Sequence, residues 1–188
     1  MTQPPWVPPT EAQWQTADKI SQLIIAALTT DRGIHAETAI ASAGRLGGTF
    51  LFRSFGIKTD GVKPGTAVLS DLANEHGPLL VQTFGTALGR LGVSLDQSAL
   101  SKPIPTDNAP QLSLLQTTAA LEAPATTLAQ RYQLDQPASA HACAIAAAIL
   151  IQKAQSVLDP GVGAAIAVYG FVEGSKTMPP PLSGSAQP

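Results

Sequence analysis

The sequence predicts a single all-α domain, a bundle of about six to eight closely packed Ala/Gly-rich helices with Pro-rich tails. Apolar residues recur at spacings of three and four along most of the chain, as on the buried face of a helix. No segment sustains the alternation of apolar and polar residues that is typical of a strand. The stretch from Ala138 to Ile151 is apolar except for Ser139 and His141. A helix of that kind has to be enclosed by its neighbours.

Proline-dense stretches set the predicted boundaries of this domain. They favour extended or irregular backbone, and they lie at both ends and in the middle of the chain. The predicted segments are an extended N-terminal tail at 1–9, a helical domain at 10–177 and a disordered C-terminal tail at 178–188. Within the domain we distinguish a front half at 10–92, a linker or lid at 93–110 and a back half at 111–177.

Two long helices are predicted at the start of the front half. Thr10 and Gln13 form a capping box for the first, and the second runs from about Ile34 to Phe55 and stops at Gly56. The buried stripe of the first helix is Trp14, Ala17, Ile20, Ile24, Ala27 and Leu28. The second helix has a polar stripe of Thr38, Ser42, Arg45, Thr49 and Arg53, and a small-residue face of Ala41, Gly44 and Gly48.

Glycines inside the second helix predict a close helix crossing. An interior glycine costs about 0.5–1 kcal/mol relative to alanine, and the close approach of another backbone is the usual compensation. We therefore expect a tight crossing near Gly44 to Gly48. Gly85 and Gly89 repeat the same spacing in a later helix.

Proline and glycine divide the region that follows. A short helix is predicted at about 66–75, and Pro78 is expected to begin another that ends at Gly92. In the back half, a helix over 111–122 is expected to break at Pro124.

The central helix and the last helix are predicted to form a tight hairpin. Asp135 to Pro137 lead into the central helix. Asp159 can cap the last helix, and Pro160 can occupy its first position.

Composition excludes several functional classes. Charged residues make up 13% of the chain, about half of the ~25% usual in soluble proteins. The net charge is −2 without a basic cluster, so no nucleic-acid partner is expected. No helix is long and apolar enough for a bilayer and the amino terminus has no signal-peptide pattern, so we expect no membrane partner and a cytoplasmic protein. Low charge mildly favours self-association.

His35 and Glu37 form the one familiar-looking motif, His-x-Glu. It opens the zinc deaminase signature, but that signature also needs two cysteines on a second helix and this chain has only Cys143. On a helix the two side chains diverge by about 200° and are not expected to share a ligand. Glu37 lies over the small-residue face. The favoured interpretation is a carboxylate bonded to free amide groups or an arginine, and the alternative is a catalytic role.

The other histidines are also candidates. His76 follows Glu75 at the predicted helix break, where it would complement the negative end of that helix. His141 lies in the apolar run, where burial and the positive helix end favour its neutral form. A core histidine with satisfied nitrogens is the favoured interpretation, and a metal ligand or general base is the alternative. Cys143, among alanines, is expected to be inert.

The sequence predicts a non-catalytic helical protein that acts through a protein-interaction or self-association surface. A homo-oligomer is expected, with a different protein partner as the alternative. The competing hypothesis is an enzyme, or a binder of a metal or small ligand, with a buried Glu/His site. Its candidate residues are Glu37, His141, His76 and His35, covered by the lid at 93–110. No specific cofactor or metal follows from the sequence.

Overall fold

The computed structural model describes residues 5–58, 60–95 and 104–182, and these residues form six packed α-helices without a strand. The predicted all-α bundle is confirmed. The helices are α1 (Glu11–Leu28), α2 (Ala36–Ser54), α3 (Asp71–Arg90), α4 (Leu114–Arg131), α5 (Gln136–Ala154) and α6 (Pro160–Ser175). Between α3 and α4 the described residues include a 3-10 turn, Thr106–Asn108.

Local sequence signals fix most of the helix ends as predicted. The side chain of Thr10 accepts from the backbone N–H of Gln13, and the Gln13 side chain accepts from the Thr10 N–H, which completes the capping box. Asp159 caps α6, and Pro160 is its first residue. The backbone turns left-handed at Gly56 and Gly92, immediately after α2 and α3, where glycine has no steric penalty.

Two predicted helix breaks are wrong, because α3 continues through Pro78 and α4 continues through Pro124. An interior proline frees the carbonyl four residues earlier and costs about 3 kcal/mol. Here those carbonyls belong to Asn74 and Ala120, which are both exposed, so water can satisfy them. Packing of both halves of each helix on the common core offsets the remaining cost.

Three smaller differences concern the front half. The first residues of the predicted 66–75 helix are irregular, because Ser70 caps α3 and the helix begins only at Asp71. Ala27, assigned to the buried stripe of α1, is exposed. The second helix starts at Ala36, two residues later than predicted.

Helix α5 is enclosed by its neighbours, as the alanine-rich sequence predicts. Every residue from Ser139 to Ile151 except His141 is buried. Helix α2 is equally central, since residues 38–52 are all buried, including every position of the predicted polar stripe except Arg53, which is partly buried. Helix α2 packs most extensively against α6 and then against α5.

The closest helix crossing joins α2 to α6, at the predicted place. A Cβ atom added at Gly44 would lie 2.5 Å from the carbonyl oxygen of Ala167, and one at Gly48 would lie 2.5 Å from that of Phe171. Helix α6 also contributes glycines to this crossing, since a Cβ added at Gly170 would lie 2.9 Å from the backbone nitrogen of Arg45. We call Gly44, Gly48, Gly170 and Gly174 the inner glycine row. Only glycine allows these two backbones to approach so closely.

No single helix among the described residues has the length and apolarity needed to cross a membrane. Helices α4 and α5 pass that test only when taken together, and they meet at an angle of 109°.

Candidate functional site

The start of α2 brings His35 and Glu37 together, contrary to the prediction from helical geometry. His35 Nε2 lies 3.4 Å from Glu37 Oε2. The prediction is wrong because His35 is not helical. It is the N-cap of α2, with an extended backbone (φ −81°, ψ 107°) that turns its ring back toward the first turn.

Both nitrogens of His35 serve the structure of this helix start. Its Nδ1 accepts from the backbone N–H of Thr38 at 3.3 Å and lies 2.8 Å from the Thr38 hydroxyl. That nitrogen therefore carries no proton, and the ring proton is on Nε2, facing Glu37. A general base needs a free lone pair within reach of a substrate. His35 has none in this arrangement.

Part of the predicted lid covers Glu37. Asn108 donates from Nδ2 to Glu37 Oε1 at 2.7 Å, and the Gln111 N–H donates to the Thr38 hydroxyl at 2.9 Å. The predicted partners of Glu37 were helix amides or an arginine, whereas the observed partners are an amide side chain and an imidazole. Residues 96–103 of the predicted lid lie outside the described residues.

His141 lies in a chain of hydrogen bonds that links three segments. The indole N–H of Trp6 donates to the Thr83 hydroxyl at 3.0 Å, and that hydroxyl lies 2.8 Å from His141 Nδ1. Burial lowers the pKa of His141 below its usual value, and the nearby His76 lowers it further. Both effects favour the neutral form of the ring. Its Nδ1 has a side-chain partner, whereas the prediction was that both ring nitrogens are satisfied; among the described residues the bond seen is the one at Nδ1.

His76 is not at a helix end, because α3 continues past it, so its predicted role at the negative end of a helix is wrong. Its ring lies 5.8 Å from that of Phe55. Among residues 5–58, 60–95 and 104–182, no three His, Cys, Asp or Glu side chains lie close enough to hold a metal ion. Glu122, another acidic residue inside the domain, forms an ion pair with Arg53.

Two partly buried ion pairs were missed by the sequence reasoning. Arg53 donates from Nη2 to Glu122 Oε2 at 2.9 Å, and its Nε also contacts Glu122 Oε1. Arg45 donates from Nε to Glu173 Oε2 at 2.6 Å and bonds to the Leu112 carbonyl. Each arginine lies in the stripe of α2 predicted to be polar. A signal was available, since Glu173 is the one charged residue of α6 and Glu122 is the one acidic residue of α4.

Cys143 is inert, as predicted. It is completely buried, and burial raises the pKa of its thiol far above the physiological range.

The outer face of α3 has glycines that pack against none of the residues at 5–58, 60–95 and 104–182. A Cβ atom added at Gly77, Gly85 or Gly89 would meet no atom within 4 Å. We call these three residues, which recur at multiples of four, the outer glycine row. Between His76 and Arg90 this helix carries no Asp, Glu, Lys or Arg, so the part of its outer face at residues 77–89 has no ionised side chain.

A largely apolar groove borders this face, between α3 and α6. It has a volume of about 390 Å³, and its apolar walls include Pro78, Val81, Phe171 and Val172. Lys176 also lines it and donates to the side-chain oxygen of Asn74. The side chain of Val172 is 48% exposed.

Comparison of the chain with protein-family models, with curated proteins and with solved structures gives no match. Function therefore has to be inferred from the residues themselves.

Proposed function

We propose that this chain is a non-enzymatic cytoplasmic protein that self-associates, forming a homo-oligomer through the outer face of α3. The observation that carries the proposal is the outer glycine row. Each interior glycine costs a helix about 0.5–1 kcal/mol relative to alanine. At Gly85 and Gly89 none of the described residues occupies the space that a side chain would take, so no contact within that part of the chain offsets this cost.

The inner glycine row supports the proposal by showing what such spacing does in this fold. Gly44 and Gly48 allow α2 to approach α6 until an added Cβ would lie 2.5 Å from backbone oxygens. A second copy of α3 could approach the outer row in the same way. The absence of charge along this face removes the repulsion that two identical charged faces would have.

The neighbouring groove would extend the contact. Leu72 and Val172 are 37% and 48% exposed, and Leu69 is 88% exposed on the segment that leads into α3. Burying such side chains between copies would add about 25 cal/mol for each Å² of apolar surface removed from water. A lone, buried cysteine also fits a reducing compartment such as the cytoplasm.

Analytical ultracentrifugation with two matched leucine variants tests the proposal. Gly85→Leu places bulk on the outer row, where the isolated chain has open space. Ala119→Leu places the same bulk on the exposed side of α4. We expect the wild type and Ala119→Leu to associate alike. Gly85→Leu should associate ~10–100-fold more weakly, as overpacking an interface by about 1–3 kcal/mol requires.

A wild type that stays monomeric at millimolar concentration would overturn the proposal. Equal association of the two leucine variants would overturn the assignment to α3. Circular dichroism of both variants checks that each remains folded.

A further inference from the structure

A pocket is bounded by α2, by α6 and by the segment 104–110 that precedes α4. Ala41 lines it from α2, Ile166 and Gly170 line it from α6, and the segment forms the remaining wall. The pocket has a volume of about 230 Å³, and we call it the α2–α6 pocket. None of its described lining residues belongs to α3, so it is separate from the face proposed for self-association.

The walls of the α2–α6 pocket are mainly apolar. Besides the three helix residues, they include four apolar residues of the segment, Ile104, Pro105, Ala109 and Pro110. Three described lining residues have polar side chains, namely Arg45, Thr106 and Tyr169. Thr106 and Tyr169 are exposed, so water can hydrate their polar groups. Arg45 is therefore the one buried polar side chain among these described residues.

The charge of Arg45 is already balanced within the chain. Its Nε donates to Glu173 Oε2 at 2.6 Å, and only 8% of the arginine side chain and 25% of the glutamate side chain are exposed. Its Nη1 also donates to the Leu112 carbonyl. An anionic ligand would leave water for a guanidinium that already has its counter-ion, and a cationic ligand would meet a like charge. The α2–α6 pocket consequently favours an uncharged ligand.

The size and the walls of the pocket suit a small apolar molecule better than water. An ordered buried water needs about two to four polar partners, which the apolar residues of these walls do not provide. An apolar cavity of ~150 Å³ is sufficient to bind benzene. At about 230 Å³, the α2–α6 pocket has room for one six-membered ring. Displacement of poorly ordered water by an apolar group increases affinity.

A ligand can reach the pocket without a rearrangement of the helices. The segment is fixed to α2 at its far end, where Asn108 donates to Glu37 and the Gln111 N–H donates to the Thr38 hydroxyl. At its near end, the backbone hydrogen bonds of the described residues close the turn itself, from the Asn108 N–H to the Pro105 carbonyl and from the next N–H to the Thr106 carbonyl. This end packs on the core through the side chain of Ile104. It can therefore shift while the far end remains bound to α2.

We propose that the α2–α6 pocket binds a small uncharged molecule with an apolar ring or a short alkyl chain. The ligand is held by contact with the apolar walls and is covered by residues 104–107. The charge balance of Arg45 with Glu173 excludes ionised ligands of the same shape. This binding does not depend on the proposed self-association, because the two sites share no described residue.

Benzene is a suitable probe, because it is uncharged, apolar and of the right size. Benzoate and benzylammonium have the same ring with a charged group and serve as matched controls. The methyl signals of Ile104 and Ile166 in a proton–carbon NMR spectrum report on the pocket, and those of Ile104→Val and Ile166→Val identify them. The methyl signal of Ile20, a core residue of α1, is the internal reference. We expect saturable shifts of the two pocket signals with benzene, none at Ile20, and none with either ion.

Variants on the exposed side of the pocket test the location of binding. Tyr169→Ala removes part of a wall, and Ala109→Leu adds bulk to the segment. Both positions are exposed, so neither substitution disturbs the core. Each should weaken benzene binding about tenfold, the effect of losing roughly 60 Å² of apolar contact. Ala119→Leu, on the exposed side of α4, is the matched control and should bind benzene as the wild type does.

Absence of a saturable shift in the folded wild type would overturn the proposal. Equal binding of benzoate or benzylammonium would overturn the ligand class. Undiminished binding in both pocket variants, or an equal shift at Ile20, would overturn the assignment to this pocket. These results are distinguishable from a failure of self-association, because the titration is carried out at a protein concentration at which the chain is monomeric.

Discussion

The inner and outer glycine rows use the same spacing for opposite surroundings. In the inner row an alanine methyl group at Gly48 would lie 2.5 Å from the Phe171 carbonyl oxygen, whereas at Gly85 it would meet nothing within 4 Å. The glycines of the inner row are therefore required by the packing within the chain, because the backbones of α2 and α6 fill the space that side chains would need. The glycines of the outer row lower the stability of the helix, and no contact among the described residues offsets that loss. This difference is what points to a second molecule.

The largest effect is expected at the inner row. Gly48→Ala should lower the free energy of unfolding by about 2–3 kcal/mol, because the added methyl group would lie 2.5 Å from one backbone oxygen and 2.7 Å from the Ser175 nitrogen. Neither backbone atom can rotate away as a side chain would. Urea unfolding measures the change. A loss below about 0.5 kcal/mol, the size of an ordinary surface substitution, would show that α2 and α6 separate easily.

The same substitution in the outer row should have the opposite sign. Gly85→Ala combined with Gly89→Ala should raise the stability of the monomer by about 1–2 kcal/mol, because each alanine restores helix propensity in open space. Self-association should weaken at the same time. Urea unfolding at low protein concentration and sedimentation at high concentration separate the two effects. A destabilised monomer would mean that these glycines are needed within the chain.

Acidic pH should act on the inner side of α3 and leave its outer face unchanged. The folded pKa of His141 lies below its usual 6.5, so the unfolded chain binds a proton first as the pH falls. Stability from this residue is therefore complete above about pH 7.5 and is lost as the pH falls through 6.5, by up to about 1.4 kcal/mol per pH unit. His76 is the titratable neighbour that adds to this effect.

Chemical unfolding of the wild type and His141→Gln between pH 7.5 and 5.5 measures this contribution. The variant should show the shallower pH dependence. Identical curves would mean that His141 is not desolvated in the folded state.

The smallest effect is expected at Gly47. The distance from an added Cβ to the nearest atom is longer there than at Gly48 and shorter than at Gly85. An added methyl group would lie 3.3 Å from the Ala140 carbonyl and 3.3 Å from Cys143 Cβ, which is tight but not prohibitive. Gly47→Ala should therefore change the free energy of unfolding by less than about 1 kcal/mol, since gained helix propensity offsets the crowding. A loss of stability as large as that of Gly48→Ala would show that the distance to neighbouring backbone atoms does not determine how much each substitution destabilises the protein.

Local patterns were sufficient to predict the helical fold and several of its ends. Capping residues such as Thr10 and Asp159, and glycines such as Gly56, act over three or four residues, so the sequence alone reveals them. The breaks predicted at Pro78 and Pro124 failed because tertiary packing outweighed a local penalty. Sequence spacing could not show that the outer glycines face open space, since the inner row has the same spacing.

The candidate side chains were harder to place. His35 and Glu37 meet only because His35 is an N-cap, a conformation that the assumption of a continuous helix excluded. The pairs of Arg45 with Glu173 and Arg53 with Glu122 join residues far apart in the chain, so the spacing of residues within one helix could not predict them. The contact of Trp6 with Thr83 is likewise long-range and lies in a segment predicted only to be an extended tail.

Disulfide cross-linking at Thr86 tests most directly whether copies of the chain meet along the outer face of α3. Thr86 is exposed beside the outer glycine row, and the native Cys143 is buried, so Thr86→Cys supplies the accessible thiol. A disulfide requires Cα atoms within about 7 Å of each other. We predict that oxidation links Thr86→Cys into dimers while Ala119→Cys, exposed on α4, stays monomeric. Absence of dimers at Thr86, or equal dimer yields at both positions, would contradict the account.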